Sequence, residues 1–286
     1  SNTTANNNVA VGANTLQNSN TSNNTAVGNS ALNANTTGDH NAAVGTNSLD
    51  ANTTGVANSA VGSFSLSDNT TGSENVAFGT SALADNIDGS FNTAVGRYAL
   101  FSNTTADNNT AVGYESLKQN TTGEQNTAVG YQPLFANTTG NYNTAVGNSA
   151  LRANTTGIQN TALGYNALSS NTTANNNIAV GVLALQDNTT GTLNTALGTS
   201  ALANNTTANN NTAVGYNALG LNTTGTENTA VGAYALDANT TANNCTAIGS
   251  EALTISTGGS NCTAVGWRSL RLNTTAANNT AVGSSA

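Results

Sequence analysis

The chain has 286 residues and a net charge of −8, with only 6% of residues charged and 5% aromatic. Asn, Thr, Ala and Gly dominate, whereas an ordinary globular core needs far more Leu, Ile and Phe, because apolar burial is what offsets lost chain entropy. No basic stripe invites nucleic acid and no apolar run reaches membrane-spanning length, so neither partner is expected.

Composition alone would fit a disordered low-complexity chain, but the period excludes it. The Gly closing each A-V-G motif falls at Gly12, Gly28, Gly45 and then every 17 residues to Gly283, only the first step being 16. Disordered tracts drift in length, and stacked coils in register do not. The chain opens at Ser1 and stops at Ala286, each inside a repeat, and shows no signal peptide. It reads as a mature product or a window from a longer fibre, with residues 1–286 forming a single solenoid of about 17 coils.

One coil reads N-T-A-V-G-Y-N-A-L-x-x-N-T-T-G-x-x, and its places are numbered from that first Asn. The apolar segments are short, β-branched and bounded by Gly or Asn, which predicts strands, and a coil of 17 is too short for two helices. The expected fold is all-β: a parallel β-solenoid with two or three short strands per coil, in the N-T-A-V, Y-N-A-L and N-T-T pieces. At ~4.8 Å per coil this would be a rod about 80 Å long.

In the N-T-A-V piece, Val9, Val76 and Ile178 at the second place favour an assignment with the second and fourth places inside. Asn and the invariant Ala then form an outer strip against which another chain packs. The competing assignment buries Asn and Ala, with a ladder of amide hydrogen bonds. Gly at the fifth place is never replaced, which predicts positive φ or a corner that a Cβ would block. Leu always fills the ninth place and is expected inside, interdigitating with Val. Pro133 at the eighth place implies a corner rather than a ladder position. The fifteenth place alternates between Gly and Ala, and where Ala stands there, as at Ala5, Ala106 and Ala174, the seventeenth is Asn, which suggests two interchangeable turns.

Few residues suggest chemistry. His40 beside Asp39 has no repeated partner and reads as a loop histidine. No carboxylate pair recurs, calcium-binding spacings are absent, and no catalytic residue, metal or cofactor is expected. The sixth-place Tyr114, Tyr131, Tyr165 and Tyr216 are candidates for a carbohydrate-stacking surface, or simply surface aromatics. The Asn-Thr-Thr segments match glycosylation sequons, but a turn Asn bonded to backbone is the simpler reading. The Thr columns resemble those of ice-binding solenoids, although Ile87-Asp88 and Ser256-Thr257-Gly258 interrupt them. Cys245 and Cys262 both replace the first-place Asn and lie 17 apart, so they should stack on successive coils. They form a candidate structural disulfide worth ~3 kcal/mol, and one that hints at an oxidising compartment. The alternative is two free buried thiols.

The unit from Asn211 to Gly225 is similar to the head repeats of YadA-type trimeric autotransporter adhesins. It resembles still more the T-A-V-G-Y-x-A-L arrays of phage tail-fibre and related surface proteins. That resemblance implies a left-handed β-roll, trimerisation and a place on a cell or virion surface. The expected function is a non-enzymatic fibre or adhesin shaft, extracellular or on a virion. Its partner would be itself, as homotrimer or filament, and a surface receptor or glycan. The alternative is a ligand-binding solenoid for ice or glycan that uses the Thr or Tyr columns.

Overall fold

The computed structural model describes residues 6–286, and Ser1 and Ala5, used above, lie outside them. The chain divides into two compact units, Ser1–Tyr142 and Asn143–Ala286, each a parallel β-solenoid. The first carries strands β1 (Val9–Val11) to β8 (Thr127–Val129), and the second carries β9 (Thr144–Val146) to β17 (Thr280–Val282). Every strand has three residues, and within each unit consecutive strands pair parallel in the register of the repeat, as in Thr110↔Thr127 and Thr212↔Thr229.

Each coil holds one strand, not two or three. The Y-N-A-L piece cannot extend, because its seventh and ninth places are left-handed: Asn217 and Leu219 have φ of 51° and 53°. The N-T-T piece is a bend, although its backbone still bonds to the next coil, Thr53 N donating to Thr70 O at 2.9 Å. Left-handed Leu costs about 1–2 kcal/mol per residue. Burying its side chain contributes ~1.5–3 kcal/mol, enough to offset that strain, and from Leu32 to Leu253 the column is fully buried.

The competing face assignment is the correct one. Ala at the third place is inaccessible from Ala26 to Ala264, as is nearly every first-place Asn, while Val at the fourth place is half-buried or exposed. Leu therefore shares the interior with Ala and not with Val, and the strict Ala strip is core rather than an outer contact. Interior room explains the strictness: coils this thin admit one large side chain, and Leu occupies that space.

Burying Asn is costly unless its amide is satisfied, and here it is. Asn41 Nδ2 donates to Gly55 O at 2.9 Å, and Asn52 Nδ2 donates to the same carbonyl at 3.1 Å. The first-place Oδ1 accepts the backbone N–H of the Asn above it, Asn58 N on Asn41 Oδ1 at 2.9 Å. The twelfth-place amides ladder directly, Asn52 Nδ2 on Asn35 Oδ1 at 2.9 Å. Two amide columns thus clamp one carbonyl in each coil, and the scheme recurs in the second unit with Asn211, Asn222 and Gly225.

The turns follow. The fifth-place Gly has φ between 126° and 139°, and a Cβ there would collide with the carbonyl of the same Gly one coil on. The eighth-place N–H bonds within its own coil, as from Ala218 to Gly215 O at 3.3 Å, so Pro133 forfeits a turn bond and no ladder bond. Ser replaces Ala at that place because its hydroxyl reaches the same carbonyl, Ser65 Oγ to Gly62 O at 2.9 Å. The seventeenth place is left-handed beside Gly and Ala alike, with φ of 56° at Gln125 and 60° at Asn108. There is one turn, not two, and nothing in the structure explains the coupling of Ala to Asn.

Candidate functional surfaces

His40 Nδ1 lies 3.4 Å from Asp39 Oδ2 on an exposed turn, and its Nε2 is 3.4 Å from Asn23 Nδ2. Among the described residues no three His, Cys, Asp or Glu side chains converge to hold a metal.

The tyrosine column divides into different environments. Tyr114 and Tyr131 stack with centroids 5.4 Å apart and 15° between planes. Tyr216 instead meets the seventh-place Tyr234 edge-on at 5.2 Å, and Tyr165 is half exposed. Beside the first pair lies a charged cluster. Lys118 Nζ reaches Glu115 Oε1 at 2.6 Å and lies 4.9 Å from the Tyr98 ring centre, while Arg97 covers the same ring at 4.7 Å. Burial works against the Glu115 carboxylate, yet the bonds from Lys118 and Gln132 outweigh it and hold its carboxyl below the usual range. In the second unit Arg268 and Arg271 bracket Glu251 at 2.8 and 3.0 Å, and the Arg268 bond is what chiefly lowers that carboxyl.

A pocket of about 270 Å³ opens where Gly220 leaves the tenth place without a side chain, between Ser200, Asn204, Asn217, Leu221 and Asp237. A Cβ on Gly220 would stand 2.8 Å from Asp237 Oδ1. Desolvation in this pocket raises the Asp237 carboxyl.

The sequon takes the simpler of its two readings, a turn Asn bonded to backbone, with Asn222 Nδ2 donating to Gly225 O at 2.9 Å. The twelfth-place Asn of Asn-Thr-Thr is buried, with its amide hydrogens spent on the ladder. The thirteenth-place Thr hydroxyls donate to the carbonyl of the next coil, as from Thr53 to Thr70 O at 2.9 Å. The fourteenth-place Thr faces solvent, and the second-place Thr is half-buried in most coils and exposed at Thr25 and Thr280.

Cys245 and Cys262 occupy adjacent coils at one register position, next to the pair Thr246↔Thr263, and both are buried free thiols. Each thiol takes over the duty of the Asn amide: Cys245 Sγ donates to Gly259 O at 3.2 Å and Cys262 Sγ to Ala276 O at 3.3 Å. Burial pushes the Cys245 thiol above its ordinary range. The second ladder breaks at the same level, because Ser256 replaces the twelfth-place Asn and its buried hydroxyl has no partner. Asn239 Oδ1 instead takes the N–H of Ala242 at 3.0 Å, and Asn273 Nδ2 turns towards Cys262 Sγ at 3.6 Å.

Sequence reasoning missed a sixteenth-place column. Asn175 Oδ1 caps the N–H of Ile158 at 2.7 Å, and Asp107 Oδ1 caps Ser90 at 2.7 Å. The recurrence of Asn, Asp and Ser there was the available signal.

No family model matches this sequence, and neither does any curated protein. The class established here is therefore that of the fold, a parallel β-solenoid repeat protein.

Proposed function

We propose that this chain is a structural element: the shaft of a fibre or adhesin displayed on a cell surface, an extracellular filament or a virion, and assembled with copies of itself. The observation that carries the reading is the sameness of the coils. One clamp of two Asn amides on one carbonyl recurs from coil to coil in both units, so the interior is given over to holding register. An enzyme concentrates departures from its scaffold at one place, and here the clearest departure is the thiol-bearing level, whose groups are buried. Negative-stain electron microscopy of the full chain tests the reading: persistent rods or fibres support it, and isolated compact particles would end it.

A second reading, a glycan-binding face, is favoured by the exposed rings of Tyr131, Tyr165 and Tyr216. Binding on a glycan array, lost on replacing those rings by Ala, would promote it over the shaft.

A further inference from the structure

The fourth place of the coil faces outward, half-buried or exposed in every coil, and is intolerant. Across seventeen occurrences it holds Val, Leu, Ile or Phe and nothing else. Yet Phe78 is 44% exposed, Leu197 47% and Ile248 41%. Other exposed columns behave as solvent positions do: the sixth holds Arg97, Tyr114, Asn148 and Trp267, the seventeenth His40, Glu74, Tyr142 and Leu193. A column that faces outward and still refuses every polar residue is read as a contact surface. Its neighbour on the same face, the second place, carries Thr, Ser, Ala, Val or Ile and no charge.

Charge says what can approach it. All 18 charged residues sit at the sixth, seventh, tenth, eleventh, fourteenth, sixteenth and seventeenth places, and none between the first and fifth. With 13 acids against 5 bases, two copies repel through much of their surface and meet without that repulsion on this face. Period says the same. A partner that engages every coil must repeat at the strand spacing of ~4.8 Å, and a second copy does so by identity. Each added coil contributes the same small contact, so affinity accumulates along the array.

We infer that the outward face of the T-A-V strands, formed by the second- and fourth-place side chains, is the surface on which another copy of this chain docks laterally. This rests on the shaft reading and names the face that assembly uses.

Sedimentation of the full chain over a range of concentrations tests it. Val112→Glu, Val129→Glu, Val214→Glu and Val231→Glu together place like charges across the interface. They should raise the association midpoint by about a hundredfold or more, with the β circular dichroism unchanged. Thr105→Glu, Thr122→Glu, Thr207→Glu and Thr224→Glu add the same charge on the fourteenth-place column and should leave association near wild type. If the first set does not fold, Val→Thr at its four positions keeps shape and should still weaken association by about tenfold. Equal effects of the two acidic sets would overturn the inference, as would a wild-type chain that stays monomeric. Thermal hysteresis from a monomeric chain, abolished by the Val set, would also overturn it, because the face would then meet ice. Rods that assemble regardless of the Val set would sink this face and leave the shaft standing, whereas face-dependent association without rods would do the reverse.

Discussion

Asparagine survives inside this protein because each of its groups has a duty. Asn205 Nδ2 donates to Asn188 Oδ1 at 2.8 Å and to Ala208 O at 3.0 Å, while its Oδ1 receives Asn222 Nδ2 at 2.9 Å. Replacing it by Leu, of similar size, would strand an acceptor on Asn188 and a donor on Asn222. Each stranded buried group costs about 1–3 kcal/mol, so Asn205→Leu should destabilise by about 3 kcal/mol or more in urea unfolding. An unchanged midpoint would mean that the amide column contributes packing alone. The Ala208 carbonyl keeps a second donor in Asn194, at 2.8 Å, which limits the damage to the column itself.

At the scale of the coil, the ninth-place Leu is the one large side chain the interior admits. Leu168→Asp buries an unpaired charge and should cost several kcal/mol, while Tyr165→Asp, three places earlier and half exposed, should be nearly silent in thermal melts. Equal tolerance at the two sites would refute the placement of the Leu column. The period, the Leu column, the fifth-place Gly and the stacking of the two cysteines were all legible in the sequence, because each follows from counting or from a steric rule with one solution. The inner face of T-A-V was not. A three-residue strand offers two alternations, and the usual ranking of Val over Asn for the interior chose the wrong one. The misread signal was strictness, taken for an outer contact: Ala never varies at the third place and Asn yields only to Cys245 and Cys262 at the first, whereas the fourth place admits four residue types. Turn pieces misled for a related reason, since Leu at positive φ is contrary to its preference and only the burial of its side chain compensates.

For the molecule as a whole, acidity acts in two directions. Desolvation raises the Asp237 carboxyl, so the folded chain favours its protonated form. That contribution is present below the unfolded pKa near 3.8 and is lost as pH rises through the raised folded value. At neutral pH the ionised group is then a liability. Asp237→Asn should raise the melting temperature at pH 7, with the gain vanishing below about pH 4. A gain of equal size at both pH values would remove desolvation as its cause. Glu115 has the opposite sign: its lowered carboxyl supports the fold above the unfolded value near 4.5 and ceases to do so as pH falls through the lowered one.

The level at which both amide columns break has a mechanical meaning. A solenoid under tension along its length is a series of joints, each coupled to its neighbours, and a series parts at its weakest joint. Between Asn239 and Asn273 the twelfth-place column is interrupted by Ser256, whose hydroxyl has no partner, and the first-place column is carried by two thiols, weaker donors than an amide. Force applied to the second unit should therefore open it here first, and the coils on either side should be released afterwards. Ser256→Asn would restore the missing rung and move the first rupture elsewhere, at higher force, in single-molecule pulling. An unmoved first rupture would show that the joint is as strong as its neighbours. A solenoid with such a joint yields at a chosen coil and keeps the remaining coils intact when it does.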